Sequence, residues 1–242
     1  MRILIFSDIH ANLSALTTVL DAAGQVDEYW LLGDLVGYGP DPNECVEIIR
    51  ELPNLTYIMG NHDAAAVGLI DLAIFNQEAK FSALWTQKQL TTKNLVFLKN
   101  APEKLIKNGI TLAHGSPRNP VWEYILDPYT AGSNFNYFDT HLCMVGHTHI
   151  PTCYYPLNGN EKEYWSMIGP GESPDLLNRA ILNPGSVGQP RDHDPRASYA
   201  IFNPEQNNWE IFRIEYDIIC IQKRIINAGL PNYHALRLTQ GW

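Results

Sequence analysis

The sequence predicts a mixed α/β fold whose functional residues gather at the carboxyl ends of buried strands. Three observations predict it. Between Arg2 and Asp63 the strand, loop, helix pattern repeats, and each strand-like run stops at a polar cluster: Ser7-Asp8, Gly33-Asp34 and Gly60-Asn61-His62-Asp63. Further along, Asn108-Gly109 lies between two apolar alternations, a strong hairpin signal, and more short strand-like runs follow it. Finally, 45% of the 242 residues are hydrophobic and 18% charged, which supplies a large core and excludes disorder as the main theme.

Taken in order, Arg2 to Phe6 reads as a buried strand, and Asn12 can cap a helix carrying Leu13, Leu16, Val19 and Leu20 that stops at Gly24. Glu28 to Leu32 is a second strand, Asp41-Pro42 opens a helix with proline in its first turn, and Thr56 to Met59 is a third strand. A helical period runs from Asn76 to Leu98. Lys104 to Lys107 then pairs through Asn108-Gly109 with Ile110 to Ala113, which ends at His114. Leu142 to Val145 leads into Gly146-His147-Thr148-His149, and Ala180 to Leu182 into Asn183-Pro184-Gly185-Ser186. Ser198 to Asn203 and Trp209 to Ile214 form another hairpin, and Ile218 to Ala228 a last helix. The expectation is a single domain, 1–242, with an irregular lid or insertion at 155–178 and a helical tail at 217–242. The end of that tail, from Leu230, has room to pack on the core or, in a homo-oligomer, on a second copy.

Charge narrows the partners. Seventeen Lys and Arg against 26 Asp and Glu give a formal charge of -9, which argues against nucleic acid or an anionic membrane as partner. No apolar run approaches the roughly 20 residues that span a bilayer, and the apolar run inside Met1 to Asp8 is too short for a signal peptide. Four cysteines without a CxxC pair suit buried thiols in a reducing cytoplasm, the expected location.

The chemistry is carried by Asp8, His10, Asp34, Asn61, His114, His147 and His149, all placed just after strand-like runs. Singly, each has an ordinary reading as a turn, cap or hydrogen-bonded residue. Jointly they are an imidazole, carboxylate and amide set suited to divalent first-row metals, without the cysteines of a structural zinc site. Seven ligands exceed one tetrahedral ion and suit two ions sharing a carboxylate, an arrangement that can clamp a displacement at phosphorus. For His147-x-His149, alternation on an extended segment would put both rings on one side.

The ordered blocks Asp8-Ile9-His10, Gly33-Asp34, Gly60-Asn61-His62-Asp63, His114 and Gly146-His147-Thr148-His149 resemble those of the calcineurin-like metallophosphoesterase superfamily. The resemblance runs from residue 3 to about residue 191. It implies a four-layer α/β/β/α sandwich of two mixed sheets with the metal site at the strand carboxyl ends. It implies a first metal on Asp8, His10 and His149, a second on Asn61, His114 and His147, and Asp34 bridging them, the ions being Mn, Fe, Zn, Co or Ni. It also implies a hydrolase in which a metal-bridging hydroxide attacks a small phosphorylated substrate, a nucleotide ester above all, while His62 acts as general acid.

The stretch Asp34-Leu35-Val36-Gly37-Tyr38-Gly39 lacks the Asp-Arg pair that protein phosphatases and symmetrical diadenosine tetraphosphatases carry after the bridging aspartate, and Asp63 stands where they have Glu. The block Asn183-Pro184-Gly185-Ser186 resembles instead the short bacterial and archaeal phosphodiesterase-like branch, and is expected to buttress the metal edge. Candidate substrate contacts are Tyr38, Arg118 and Arg191, each Arg having a surface ion pair as its alternative. The rival from another class is a noncatalytic metal-binding scaffold on the same fold.

Overall fold

The computed structural model describes residues 1–157 and 164–242. Its strands are β1 (Ile3–Phe6), β2 (Glu28–Leu31), β3 (Leu55–Tyr57), β4 (Lys104–Lys107), β5 (Ile110–Ala113), β6 (Leu142–Met144), β7 (Pro151–Tyr154), β8 (Trp165–Met167), β9 (Ala180–Pro184), β10 (Ala197–Asn203) and β11 (Asn208–Ile214). Its helices are α1 (Leu13–Ala23), α2 (Pro42–Glu51), α3 (Asn61–Ala66), α4 (Gln77–Gln89), α5 (Thr92–Lys99), α6 (Pro128–Asn134), α7 (Ile218–Asn227) and α8 (Asn232–Gln240).

The strands form two mixed sheets, ordered β11-β10-β1-β2-β3 and β4-β5-β6-β9-β7-β8. In the first, β1 lies parallel to β2 and antiparallel to β10; in the second, β5, β6 and β9 run parallel while β7 returns antiparallel to β9. The two-residue period of a strand explains the layering. Ile3 and Ile5 join Trp30, Leu112, Met144 and Leu182 in a core between the sheets, whereas Leu4 and Phe6 face the other way and pack with Leu16, Val19, Val46 and Ile49 of α1 and α2. On the far face of the second sheet, Cys143, Val145 and Ile181 meet Ala131 of α6 with Phe135 and Phe138 just beyond it. The result is the four-layer α/β/β/α sandwich.

Three departures from the pattern reading have physical causes. The single helical run from Asn76 to Leu98 is two helices, because Thr91 caps the second by accepting the N–H of Asn94 at 3.3 Å and its own N–H is held by Asn43 at 2.9 Å. The helix α6 had a readable start that the apolar period does not show: Asp127 accepts the N–H groups of Tyr129 and Thr130, with Pro128 behind it. Within 155–178, residues 158–163 lie outside the described residues. Of the remainder, β8 pairs with β7 at a sheet edge, and Ile168 and Leu176 are buried in the core between the sheets.

Residues 218–240 hold α7 and α8, joined through a left-handed Gly229 (φ +72°). The pair packs on its own chain: α7 against α1, and Gly241 accepting the N–H of His193 at 2.7 Å. No described helix is long and apolar enough to cross a membrane.

Candidate metal centre

The carboxyl ends of β1, β2, β5 and β6 bring Asp8, His10, Asp34, His114, His147 and His149 together in two groups. In each of these, Asp8/His10/Asp34/His149 and Asp34/His114/His147, the donor atoms lie within 4.8 Å of one another. Asp34 is common to both. Asn61 joins the second group, its Oδ1 standing 3.2 Å from His114 Nε2.

The backbone sets each ring's tautomer. A carbonyl oxygen can only accept, so the ring nitrogen facing one must carry the proton. His10 Nδ1 faces the Val36 carbonyl at 3.3 Å, His114 Nδ1 that of Leu32 at 2.7 Å, His149 Nδ1 that of Gln189 at 2.5 Å, and His147 Nε2 that of Trp122 at 3.2 Å. The lone pairs therefore fall on the opposite nitrogens, and these converge: His10 Nε2 is 3.1 Å from His149 Nε2, and His114 Nε2 is 3.1 Å from His147 Nδ1. Burial drives His10, His147 and His149 well below the ordinary histidine range and keeps them neutral. His114 is different: burial alone would lower it, but the Asp34 carboxylate outweighs burial and raises it to about 9.

These features fit a cation. Three oriented lone pairs, and a fourth on His114 once a cation displaces its proton, meet two buried carboxylates, and Asp34 Oδ2 is buried 3.7 Å from His10 Nε2 and 3.4 Å from His114 Nε2.

The local backbone is unusual. Asp8, His10, Asp34, His147 and His149 have φ of +55°, +51°, +54°, +66° and +63°, the left-handed region. This corrects one sequence argument: His147 and His149 are not on an extended segment, and their rings serve different groups. The Asn183 turn does buttress that loop, Nδ2 donating to the Gly146 carbonyl at 2.6 Å and to Thr148 Oγ1 at 3.0 Å. The Ser186 hydroxyl and the Gly188 N–H both donate to the carbonyl of Asp8, at 2.9 Å each.

His62 is buried beside the cluster without belonging to either group. Its ring centroid is 4.2 Å from Tyr38, 5.0 Å from His10 at 89°, and 5.1 Å from Phe75. Gly37 lies under it: a Cβ there would come 2.6 Å from His62 Nδ1. Burial holds the ring down at about 4. Asp63 faces elsewhere, accepting the N–H of Val36 at 3.1 Å and of Gly60 at 3.0 Å.

Residues 1–207 match the profile of the calcineurin-like phosphoesterase superfamily domain. The chain belongs to that superfamily. A crystal structure of a metallophosphoesterase from Sphaerobacter thermophilus superposes with a TM-score of 0.92 at 47% identity, covering 100% of this chain and 99% of its own. An uncharacterized protein of Methanocaldococcus jannaschii is 39% identical over 247 residues, 99% of this chain and 98% of its own length. The symmetrical bis(5'-nucleosyl)-tetraphosphatase of Erwinia tasmaniensis is 37% identical over 67 residues, 26% of this chain and 24% of its own.

Within this member of the superfamily, the three substrate candidates fall in different places. Tyr38 packs between His10 (4.7 Å) and His62, tilted by 54° and 52° to their rings. Arg191 lies at the centre: its N–H donates to the His149 carbonyl at 3.3 Å and its Nη2 to Gln189 Oε1 at 2.9 Å. Arg118 does not join them. Its guanidinium is held by Glu123 and lies over the Tyr137 ring, the ion-pair alternative. Two further residues at the centre carry no sequence motif. Tyr124 stacks on His147 at 3.7 Å and 22°, and His234 of α8 packs on Tyr38 at 4.7 Å. An aromatic between Trp122 and the Asp127-Pro128 cap was the sole signal for Tyr124; His234 had none beyond helical spacing.

Proposed function

We propose that this phosphoesterase depends on two divalent ions and hydrolyses the phosphoester of a small, nucleotide-like substrate. The observation that carries the reading is the pair of donor groups sharing Asp34, with four rings whose free nitrogens point inward. In this reading Asp8, His10 and His149 hold one ion, Asn61, His114 and His147 the other, and Asp34 both. Imidazole nitrogens with carboxylate and amide oxygens suit Mn, Fe, Zn, Co or Ni. Bound there, such ions supply Lewis-acid withdrawal of charge from the phosphoryl oxygens and an acidified water.

The chain's own residues do the rest. His62 Nδ1 is packed against Gly37 without a partner, which leaves Nε2 to give a proton to the leaving oxygen once the negative charge of a bound phosphoryl group favours the protonated ring that burial otherwise disfavours. Tyr38 and Phe75 both pack against that ring and hold it in place. Arg191 presents a guanidinium to the phosphoryl group. The local similarity to a bis(5'-nucleosyl)-tetraphosphatase supports a nucleotide as substrate. Four free cysteines, three of them buried, fit a cytoplasmic setting.

The deciding experiment assays bis-p-nitrophenyl phosphate and a nucleotide panel with Mn, Co, Ni, Mg and Zn in turn, after chelation. Hydrolysis that returns with metal supports the reading; full activity in the stripped protein overturns it.

A further inference from the structure

Of the four rings that serve the two donor groups, three are turned the same way. His10, His114 and His149 direct Nδ1 to a backbone carbonyl and Nε2 to the cluster, whereas His147 directs Nε2 to the carbonyl of Trp122 and Nδ1 to the cluster. The reversal has a cost. The carbonyl bonds of the other three rings are buried, while that of His147 is only partly so and lies within reach of water.

Both groups that hold this reversed ring come from one loop, the segment between β5 and α6. Trp122 supplies the acceptor at 3.2 Å, and Tyr124 lays its ring on that of His147 with 3.7 Å between centroids and 22° between planes. Tyr124 is 44% exposed, so the stack covers His147 more than it hides the tyrosine. Between the two, Glu123 anchors the segment: its carboxylate accepts Ser116 Oγ at 2.6 Å and Asn134 Nδ2 at 2.9 Å, and its N–H donates to the Asn119 carbonyl at 3.3 Å. The start of the loop closes on the same point, since a Cβ at Gly115 would come 2.8 Å from Glu123 N. Gly115 follows His114, so one loop leaves from one ring of the second donor group and clamps the other.

We propose that Tyr124 is a positioning residue for His147: with the Trp122 carbonyl it holds the ring with Nδ1 inward, shields the Nε2 proton from water, and so sets the affinity of the second donor group for its ion. The inference rests on the two-ion reading for that last consequence. A ring whose Nε2 proton is already held keeps its lone pair on Nδ1, and the ion then binds without first turning the ring. The effect is confined to one group. Among the described residues Tyr124 stacks on no other ring of the cluster, and His147 belongs only to the group of Asp34 and His114.

Two readouts on wild type, Tyr124→Leu and Tyr124→Phe test this. In the chelator-stripped protein, nitrogen-15 NMR of the histidine rings follows the Nε2 proton of His147, assigned by its absence in His147→Ala. Its exchange with water is expected to be about tenfold or more faster in Tyr124→Leu and to match wild type in Tyr124→Phe. An unchanged rate in Tyr124→Leu overturns the proposal. Manganese is then titrated calorimetrically into the same variants, into His147→Ala and into the double variant. Tyr124→Leu weakens one binding step about tenfold or more, Tyr124→Phe restores it, and Tyr124→Leu adds nothing in the His147→Ala background. Wild-type affinity in Tyr124→Leu overturns the affinity claim, and so does an equal loss in both backgrounds, because the tyrosine then supports the loop and not the ring. A single ion in wild type, or unaltered binding in His147→Ala, defeats the two-ion reading, while the exchange rate still decides whether Tyr124 holds the ring.

Discussion

Asp34 accepts the backbone N–H of His62 through Oδ1 at 2.8 Å, while its Oδ2 stands between His10 and His114. The carboxylate shared by both donor groups is thus also the seat of the ring proposed to donate the proton. Replacing it separates the two jobs. Asp34→Asn keeps an acceptor for His62 but halves the shared charge donors; Asp34→Ala loses both. Elemental analysis is expected to show fewer than two ions per chain in either variant, with turnover lower by about 10³-fold or more. Two retained ions with wild-type turnover in Asp34→Ala would refute the bridging role.

Gly37 has φ +93°, and any side chain there meets the ring of His62. Gly37→Ala should therefore displace the ring without touching a donor to metal. The expected result is a lower kcat with unchanged metal content, in the same direction as His62→Ala, for which the loss is about 10²–10⁴-fold. Steady-state kinetics beside metal analysis checks this; equal loss of metal in His62→Ala would make it a ligand instead.

The carboxylate of Asp63 ties the loop after β2 to the start of α3 by accepting two buried N–H groups. Asp63→Ala leaves Val36 and Gly60 without an acceptor, and each buried unpaired donor costs roughly 1–3 kcal/mol. Urea unfolding should show a loss of at least about 2 kcal/mol, and a smaller loss for Asp63→Asn, which keeps one acceptor. A stability equal to wild type would show that water replaces the carboxylate.

Glu123 gathers Arg118, Ser116 and Asn134. Burial opposes its charge, but these donors outweigh burial and lower it to about 2. A carboxylate lowered on folding binds fewer protons than in the unfolded chain, so its stabilising effect is full above the ordinary carboxylate value and fades as pH falls toward about 2. Melting temperatures of wild type and Glu123→Gln should differ most at neutral pH and converge below about 4. A constant gap down to pH 2 would contradict it.

Legibility followed the physics of each signal. Strand ends were visible because apolar runs stop where the clustered Asp, Asn and His residues begin, and Asn108-Gly109 was visible because both residues take positive φ, +51° and +76°, in a tight hairpin. The donor set was visible as residue types in order. What held His62 was not: Gly37 and Tyr38 act through a loop conformation that no local preference announces. The arrangement of His147 and His149 was hidden for the same reason, since left-handed backbone at a histidine is imposed by tertiary bonds such as those of Asn183. His234 was hidden because an amphipathic helix shows its apolar face and not what that face meets.

The left-handed backbone at Asp8, His10, Asp34, His147 and His149 has an evolutionary consequence. Each such non-glycine residue costs on the order of 1–2 kcal/mol, borne by the two sheets whether or not a substrate is present. Glycine would relieve that load at every one of these positions while deleting a donor. Selection for thermostability and selection for turnover therefore oppose each other at the same five backbone positions, and stabilising substitutions are expected to accumulate away from this edge of the sandwich.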